Sequence, residues 1–259
     1  MNLSKQRFHP LQYLAAWLVH LFTASAACIG VMTLVKIYQH EYVFAMWLMA
    51  ITVVIDALDG TFARMVNIKE VLPKIDGALL DNIVDYVNYV ITPCFFLLVK
   101  PDMLPPDLAV IIITAVTITS SYQFCQSDAK TPDHFFKGFP CYWNITIFYM
   151  LLFNTSASTN AIILGILSVL IFVPVKYVYP SRLDYLTHNK TLQLAMLMAT
   201  VLFGVTTAGL IWVYPLSNHF LVFLSMSYMV LYMLVSLYRT VVPLQNDEYP
   251  ADSVLSAQS

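Results

Sequence analysis

Charge is what this chain lacks. Of its 259 residues only 13 are Lys or Arg and 15 are Asp or Glu, together 11 %, where a soluble domain carries roughly a quarter. That scarcity excludes a soluble globular fold. A basic excess is missing as well. The formal net charge is −2 and the pI is near 6.3, so the chain has no basic face of the kind nucleic-acid binding needs. Cys28, Cys94, Cys125 and Cys141 have no metal-type spacing and sit mostly in apolar runs, as packing residues. The six histidines form no metal motif either. No domain linker, low-complexity stretch or exact internal repeat interrupts the sequence.

Apolar residues make up 59 % of the chain, and the mean hydropathy is +0.71. Stretches long enough to cross a bilayer, about 18–25 residues, recur along it. They predict spans at 11–36, 42–63, 78–99, 108–127, 140–154, 160–178, 192–213 and 218–238, the fifth being short. The expected fold is therefore all-α, a polytopic transmembrane helix bundle of about eight spans. Residues 1–240 read as one membrane domain. The remainder, 241–259, is polar, lacks helical periodicity and reads as a disordered tail.

Basic residues orient the bundle. With the N-terminus in the cytoplasm, both tails and the even-numbered junctions are cytoplasmic. They hold Lys5, Arg7, Arg64, Lys69, Lys74, Lys130, Lys137, Lys176, Arg182, Lys190 and Arg239, against only Lys36 and Lys100 outside. This is a clear positive-inside bias, and it places the connection around residues 60–80 in the cytoplasm.

At that connection the scarce acidic residues gather. Asp56 and Asp59 close one apolar run; Asp81 and Asp85 open the next. Spacings of three and four put each pair on one helical face, so two antiparallel helices can aim four carboxylates into one pocket. Ionisable groups in such places are costly and usually functional. Divalent cations relieve the repulsion, and oxygen-only ligation suits Mg²⁺, Mn²⁺ or Ca²⁺. Two such ions roughly 3.5–4 Å apart serve phosphoryl chemistry. Gly60, Ala63 and Gly77 leave room for a phosphate-bearing ligand near the backbone, Arg64 can pair with a phosphate, and the amides after Gly77 form a helix N-terminus suited to anions. Asp76, out of phase with Asp81 and Asp85, reads as a solvated interface residue.

The pattern Asp56-x-x-Asp59-Gly60-x-x-Ala63-Arg64, then Gly77-x-x-x-Asp81-x-x-x-Asp85, resembles the motif of the CDP-alcohol phosphotransferases, membrane enzymes that displace CMP from a CDP-activated group with an alcohol. The gap of twelve residues (65–76) is longer than most of that family has and is similar to the bacterial phosphatidylcholine synthases, a branch with about eight spans. "FFKGFPCYWN" (135–144) and "VKYVYPSRLDY" (175–185) resemble that branch too. The family core would cover about 10–190. The resemblance implies that Asp56, Asp59, Asp81 and Asp85 ligate two divalent cations, Mn²⁺ or Mg²⁺, with Asp85 also the general base. It implies that Asp56, Gly60, Ala63, Arg64 and Gly77 contact the CDP moiety, with Thr23 near the nucleotide. The longer gap leaves the conformation of 65–76 open.

The reaction so implied is CDP-diacylglycerol plus choline giving phosphatidylcholine plus CMP, at the cytoplasmic face of a bacterial inner membrane, in a homodimer with both termini inside. A quaternary ammonium is held by aromatic faces at roughly 0.5–2 kcal/mol each, and Tyr86, Tyr89, Tyr142, Trp143 and Tyr179 lie near the proposed face. Each also reads as an interfacial anchor. Lys137 and Arg182 occupy junctions where they can hold lipid or product phosphate, or simply set orientation. Serine, as in the phosphatidylserine synthases that "FKGFP" also resembles, is the alternative acceptor; inositol and glycerol phosphate are further ones. From another class, a cation transporter would place its acidic site mid-membrane between repeated halves, which this sequence does not have.

Overall fold

Side-chain caps set most of the helix starts in the computed structural model, which describes residues 8–131, 135–179, 187 and 189–242. Helix α1, Pro10–Tyr38, opens with proline at its first position and a reciprocal His9–Gln12 cap. After a short turn comes α2, Tyr42–Met65, and then the single-turn α3, Ile68–Val71. Helix α4, Gly77–Tyr86, starts where the Asp76 carboxylate accepts the Leu79 amide at 3.0 Å, so Asp76 is a helix cap as well as an exposed residue.

Helix α4 does not stop at Tyr86. It widens into a π turn, Val87–Ile91, and continues as α5, Thr92–Val99, so that Gly77–Val99 is one long apolar helix. Pro93 supplies a reason for the wide turn. It has no N–H to give, and in a straight α-helix its ring would press on the carbonyl of residue 89. Asn88 ties the turn down, donating from Nδ2 to the carbonyls of Ala26 and Val84, both at 3.1 Å.

These elements form one compact unit, Met1–Lys100, with α1 at its centre. The buried face of α1 runs Ala16, Val19, His20, Thr23, Ala26, Gly30, Thr33 and Ile37, the three-or-four spacing of a single helical stripe. Small residues on it allow close approach: a Cβ on Gly30 would lie 2.5 Å from Asn88 Oδ1. Leu11, Leu14, Leu18 and Leu21, on the other side, are exposed, as a lipid-facing surface would be.

The second unit, Pro101–Ser259, contains α6 (Pro106–Cys125), α7 (Trp143–Leu152), α8 (Ala157–Leu170), α9 (Lys190–Val213) and α10 (His219–Val241). Strands β1, Phe136–Lys137, and β2, Lys176–Tyr177, pair antiparallel. Here the expected spans need correction. The fifth and sixth, 140–154 and 160–178, contain helices of only 10 and 14 residues, about 15 and 21 Å long at the α-helical rise. Pro140 and the left-handed Cys141 (φ 58°) hold back the start of α7, and Pro174 follows the end of α8. Extended chain takes over: Gly138 and Phe139 donate to the carbonyls of Val175 and Leu170 at 2.9 and 3.1 Å. The pair is fastened to α6 and to the connection that precedes it. Trp143 Nε1 donates to Ser120 Oγ at 2.8 Å, and Asn160 Nδ2 donates to the carbonyl of Met103 at 3.0 Å.

Helices α9 and α10, each N-capped by an asparagine (Asn189, Asn218), pack on each other. Tyr232 and Ser236 of α10 hydrogen-bond the backbone of Val178. Among the described residues six helices, counting Gly77–Val99 as one, are long and apolar enough to cross a membrane. The chain is an integral membrane protein of the all-α class.

Candidate active site

Helix α2 carries Asp56 and Asp59 near its C-terminal end, and α4 carries Asp81 and Asp85 in its first turns. Their helices bring carboxylate oxygens of Asp56, Asp81 and Asp85 within 4.8 Å of one another, each side chain partly buried. Three anions this close in a half-dry setting repel strongly, and oxygen-only donors suit a hard divalent cation. Among the described residues no other group of acidic, histidine or cysteine side chains meets this geometry.

Asp59 lies outside that trio. It is buried, and its Oδ2 accepts the Thr23 hydroxyl at 2.9 Å. Asp56 has its own hydroxyl partner, because Tyr89 of the π turn donates to its Oδ2 at 2.7 Å. Thr23, expected near the nucleotide, and Tyr89, expected near choline, are thus each brought to a carboxylate of α2.

The small residues lie where the motif spacing puts them. Arg64 is exposed and folds back along α2, donating from Nη2 to Thr61 Oγ1 at 3.0 Å. A Cβ on Gly60 would lie 3.3 Å from its Nη1. Gly77 is the first residue of α4, and a Cβ there would come within 3.1 Å of His20 Cε1. His20 is buried, with Nε2 lacking a hydrogen-bond partner. It was not singled out from sequence; its one clue is that it precedes Thr23 by three residues on the same helical face. Ala63 packs with the cluster of Ala16, Val19, Ile68 and Val71. That cluster answers the open question of 65–76: the long gap folds into α3, which docks on α1.

Other expected contacts are dispersed. Tyr86 is partly buried on α4. Trp143 is fully buried, its N–H bonded to Ser120 and its ring packed edge-on at Phe139; this is a core position, and its ring offers no open face for an ammonium. Tyr142 packs at the cluster of Phe135, Tyr177, Val178 and Tyr232. The ring of Tyr179 lies 4.7 Å from that of Phe136, and the Lys130 ammonium sits 5.5 Å over the Tyr179 ring. Lys137 is ion-paired with exposed Asp128, and its hydrogen bond holds the Asp128 carboxyl below its ordinary pKa. Arg182 lies outside the described residues. All four cysteines are free; Cys94 and Cys141 are buried, Cys28 and Cys125 exposed.

Comparison with known proteins agrees with this geometry. Residues 16–178 match the family model described as CDP-alcohol phosphatidyltransferase. Phosphatidylcholine synthase of Legionella pneumophila is 64 % identical over 244 residues, covering 94 % of this chain and 96 % of the relative. That of Legionella bozemanae is 69 % identical over 217 residues, 84 % of this chain and 100 % of the relative. That of Borreliella burgdorferi is 38 % identical over 172 residues, 66 % of this chain and 73 % of the relative. With three aspartates of its two-part motif, Asp56, Asp81 and Asp85, brought together, the chain belongs to the CDP-alcohol phosphatidyltransferase family.

Proposed function

We propose that this protein is a divalent-metal-dependent phosphatidylcholine synthase, which transfers the phosphatidyl group of CDP-diacylglycerol to choline and releases CMP. The observation that carries the reading is likeness along nearly the whole chain to proteins of that name. The convergence of Asp56, Asp81 and Asp85 supports the chemistry.

The donor set fits the metal the family generally uses, since three carboxylates present oxygens within 4.8 Å and no sulfur or nitrogen ligand intrudes. Asp56, Asp81 and Asp85, with Asp59 one turn along α2, would hold two cations, Mn²⁺ or Mg²⁺. When bound, such ions stabilise negative charge on the diphosphate and on departing CMP.

The remaining work belongs to the chain. Bare backbone at Gly60 and Gly77, with small Ala63, admits the CDP moiety, and Arg64 pairs with a phosphate through two parallel hydrogen bonds, one to each of two oxygens. The first amides of α4 face the same anion. Asp85 accepts the proton of the choline hydroxyl as that oxygen bonds to the lipid-side phosphorus. The bond from that phosphorus to the bridging oxygen breaks, and CMP leaves with it. Tyr86, Tyr142 and Tyr179 remain the aromatic candidates for the ammonium, Tyr179 already lying under one cation. Lys137, engaged by Asp128, is assigned to orientation and local structure.

The family match runs from 16 to 178, which supports one catalytic domain over 1–240. The positive-inside bias supports a bacterial inner-membrane location with both termini and the aspartates cytoplasmic. Shortening α7 and α8 leaves this unchanged, because adding or removing a pair of crossings preserves the sides of all others. A homodimer is the assembly the family resemblance implies.

One assay tests the reading. Purified protein is given CDP-diacylglycerol with choline, serine, inositol or glycerol 3-phosphate, with Mn²⁺ or Mg²⁺ and with chelator. CMP release with choline, abolished by chelator and restored by the ion, is expected. Release with serine alone would reassign the acceptor, and no release with any alcohol would favour ion transport.

A further inference from the structure

Two hydroxyls reach into the aspartate pocket from outside α2. Tyr89 Oη is 2.7 Å from Asp56 Oδ2, and Thr23 Oγ1 is 2.9 Å from Asp59 Oδ2. Both side chains are more than nine-tenths buried, Tyr89 at 8 % and Thr23 at 8 % exposure. A tyrosine this enclosed presents no open ring face to an ammonium, so the acceptor-binding role read from sequence does not suit it. A hydroxyl donor suits an anionic oxygen among other anions, and one short, aimed bond restricts how the carboxylate turns.

The aim of Tyr89 comes from the backbone. It sits in the π turn, four residues after Asp85, where the widened helix is anchored through Asn88 to Ala26 and Val84. Single π turns inside α-helices recur at functional sites because they re-aim side chains without breaking the helix. Thr23 sits on the rigid buried stripe of α1, the helix that packs most extensively on α2. Each donor is therefore held by an element other than the one carrying its aspartate.

We propose that Tyr89 and Thr23 are positioning residues of the metal site. Tyr89 orients Asp56 toward Asp81 and Asp85, and Thr23 orients Asp59, before any cation arrives. This rests on the reading that these aspartates bind divalent cations. Partners that orient metal ligands typically matter by about 10–100-fold in affinity.

The test is Mn²⁺ binding to the purified full-length protein without substrates, followed by the electron paramagnetic resonance of free Mn²⁺. Tyr89→Phe and Thr23→Val, which remove only hydroxyls at nearly constant volume, should each weaken Mn²⁺ binding about 10–100-fold. Thr23→Ser should restore it. In an Asp56→Asn background, Tyr89→Phe should cost no more than about twofold, since coupled residues are not additive. The KM for choline at saturating Mn²⁺ should stay within about twofold in Tyr89→Phe. Unchanged Mn²⁺ affinity in both single variants, or fully additive losses in the double variant, would overturn the proposal. A raised KM for choline with unaltered Mn²⁺ binding would overturn it for Tyr89 by returning that residue to the acceptor. Failure of the unmodified protein to bind Mn²⁺ would instead overturn the metal reading itself.

Discussion

Among the four motif aspartates, Asp85 has the proposed role, general base, that is most sensitive to a single atom. An amide in its place keeps size and hydrogen-bonding shape but has no basic oxygen to accept the hydroxyl proton. Asp85→Asn is expected to lower CMP release by about 10²–10⁴-fold with helix content unchanged by circular dichroism; turnover near that of the unmodified protein would remove the base assignment. The aspartates were readable because fixed helical spacing converts sequence distance into facing direction. The hydroxyls were harder. Thr23 is expected near the nucleotide, and the partner of its hydroxyl is Asp59. Tyr89 was grouped with possible choline contacts because an aromatic residue type does not reveal where its hydroxyl points. His20, packed at Gly77, belongs to no spacing motif and gave no such sign.

At the scale of elements, the contact between Gly30 and Asn88 decides whether the π turn can form beside α1. A methyl group on Gly30 would stand 2.5 Å from Asn88 Oδ1, too close to remain. Gly30→Ala should therefore push Asn88 off the carbonyls of Ala26 and Val84 and destabilise the protein by about 1–3 kcal/mol, read as a lower melting temperature in detergent. An unaltered melting curve would mean that the turn does not depend on this approach. Six long helices were legible as apolar runs, with ends within a few residues. The π turn was not, since a 3.6-residue pattern carries no mark of one widened turn. Nor were the true lengths of α7 and α8. The expected span at 140–154 counts Pro140, Cys141 and Tyr142 as three more helical residues, whereas the helix begins only at Trp143.

For the whole molecule the decisive quantity is sidedness. The positive-inside bias predicts that the motif aspartates face the inner side of the membrane. Cysteine placed at exposed Ser217, between α9 and α10, and at exposed Lys74 gives a direct check in a background without the native thiols. A membrane-impermeant maleimide applied to intact cells should modify Ser217→Cys, and modify Lys74→Cys only once the cells are opened. The reverse pattern would invert the topology. Charge asymmetry predicts sidedness from sequence, and for every connection but the one between α7 and α8 that prediction depends only on parity, which the shortening of the two helices leaves intact.

The docking of α3 bears on how the two halves of the pocket are joined. A loose connection between Met65 and Gly77 would cost chain entropy each time the aspartates of α2 and α4 were drawn together, more so for a longer loop. With Ile68 and Val71 buried against Ala16 and Val19, that freedom is lost when the chain folds and not when a cation binds. On the proposed metal reading, the extra length of the gap would therefore add little entropic penalty to ion affinity.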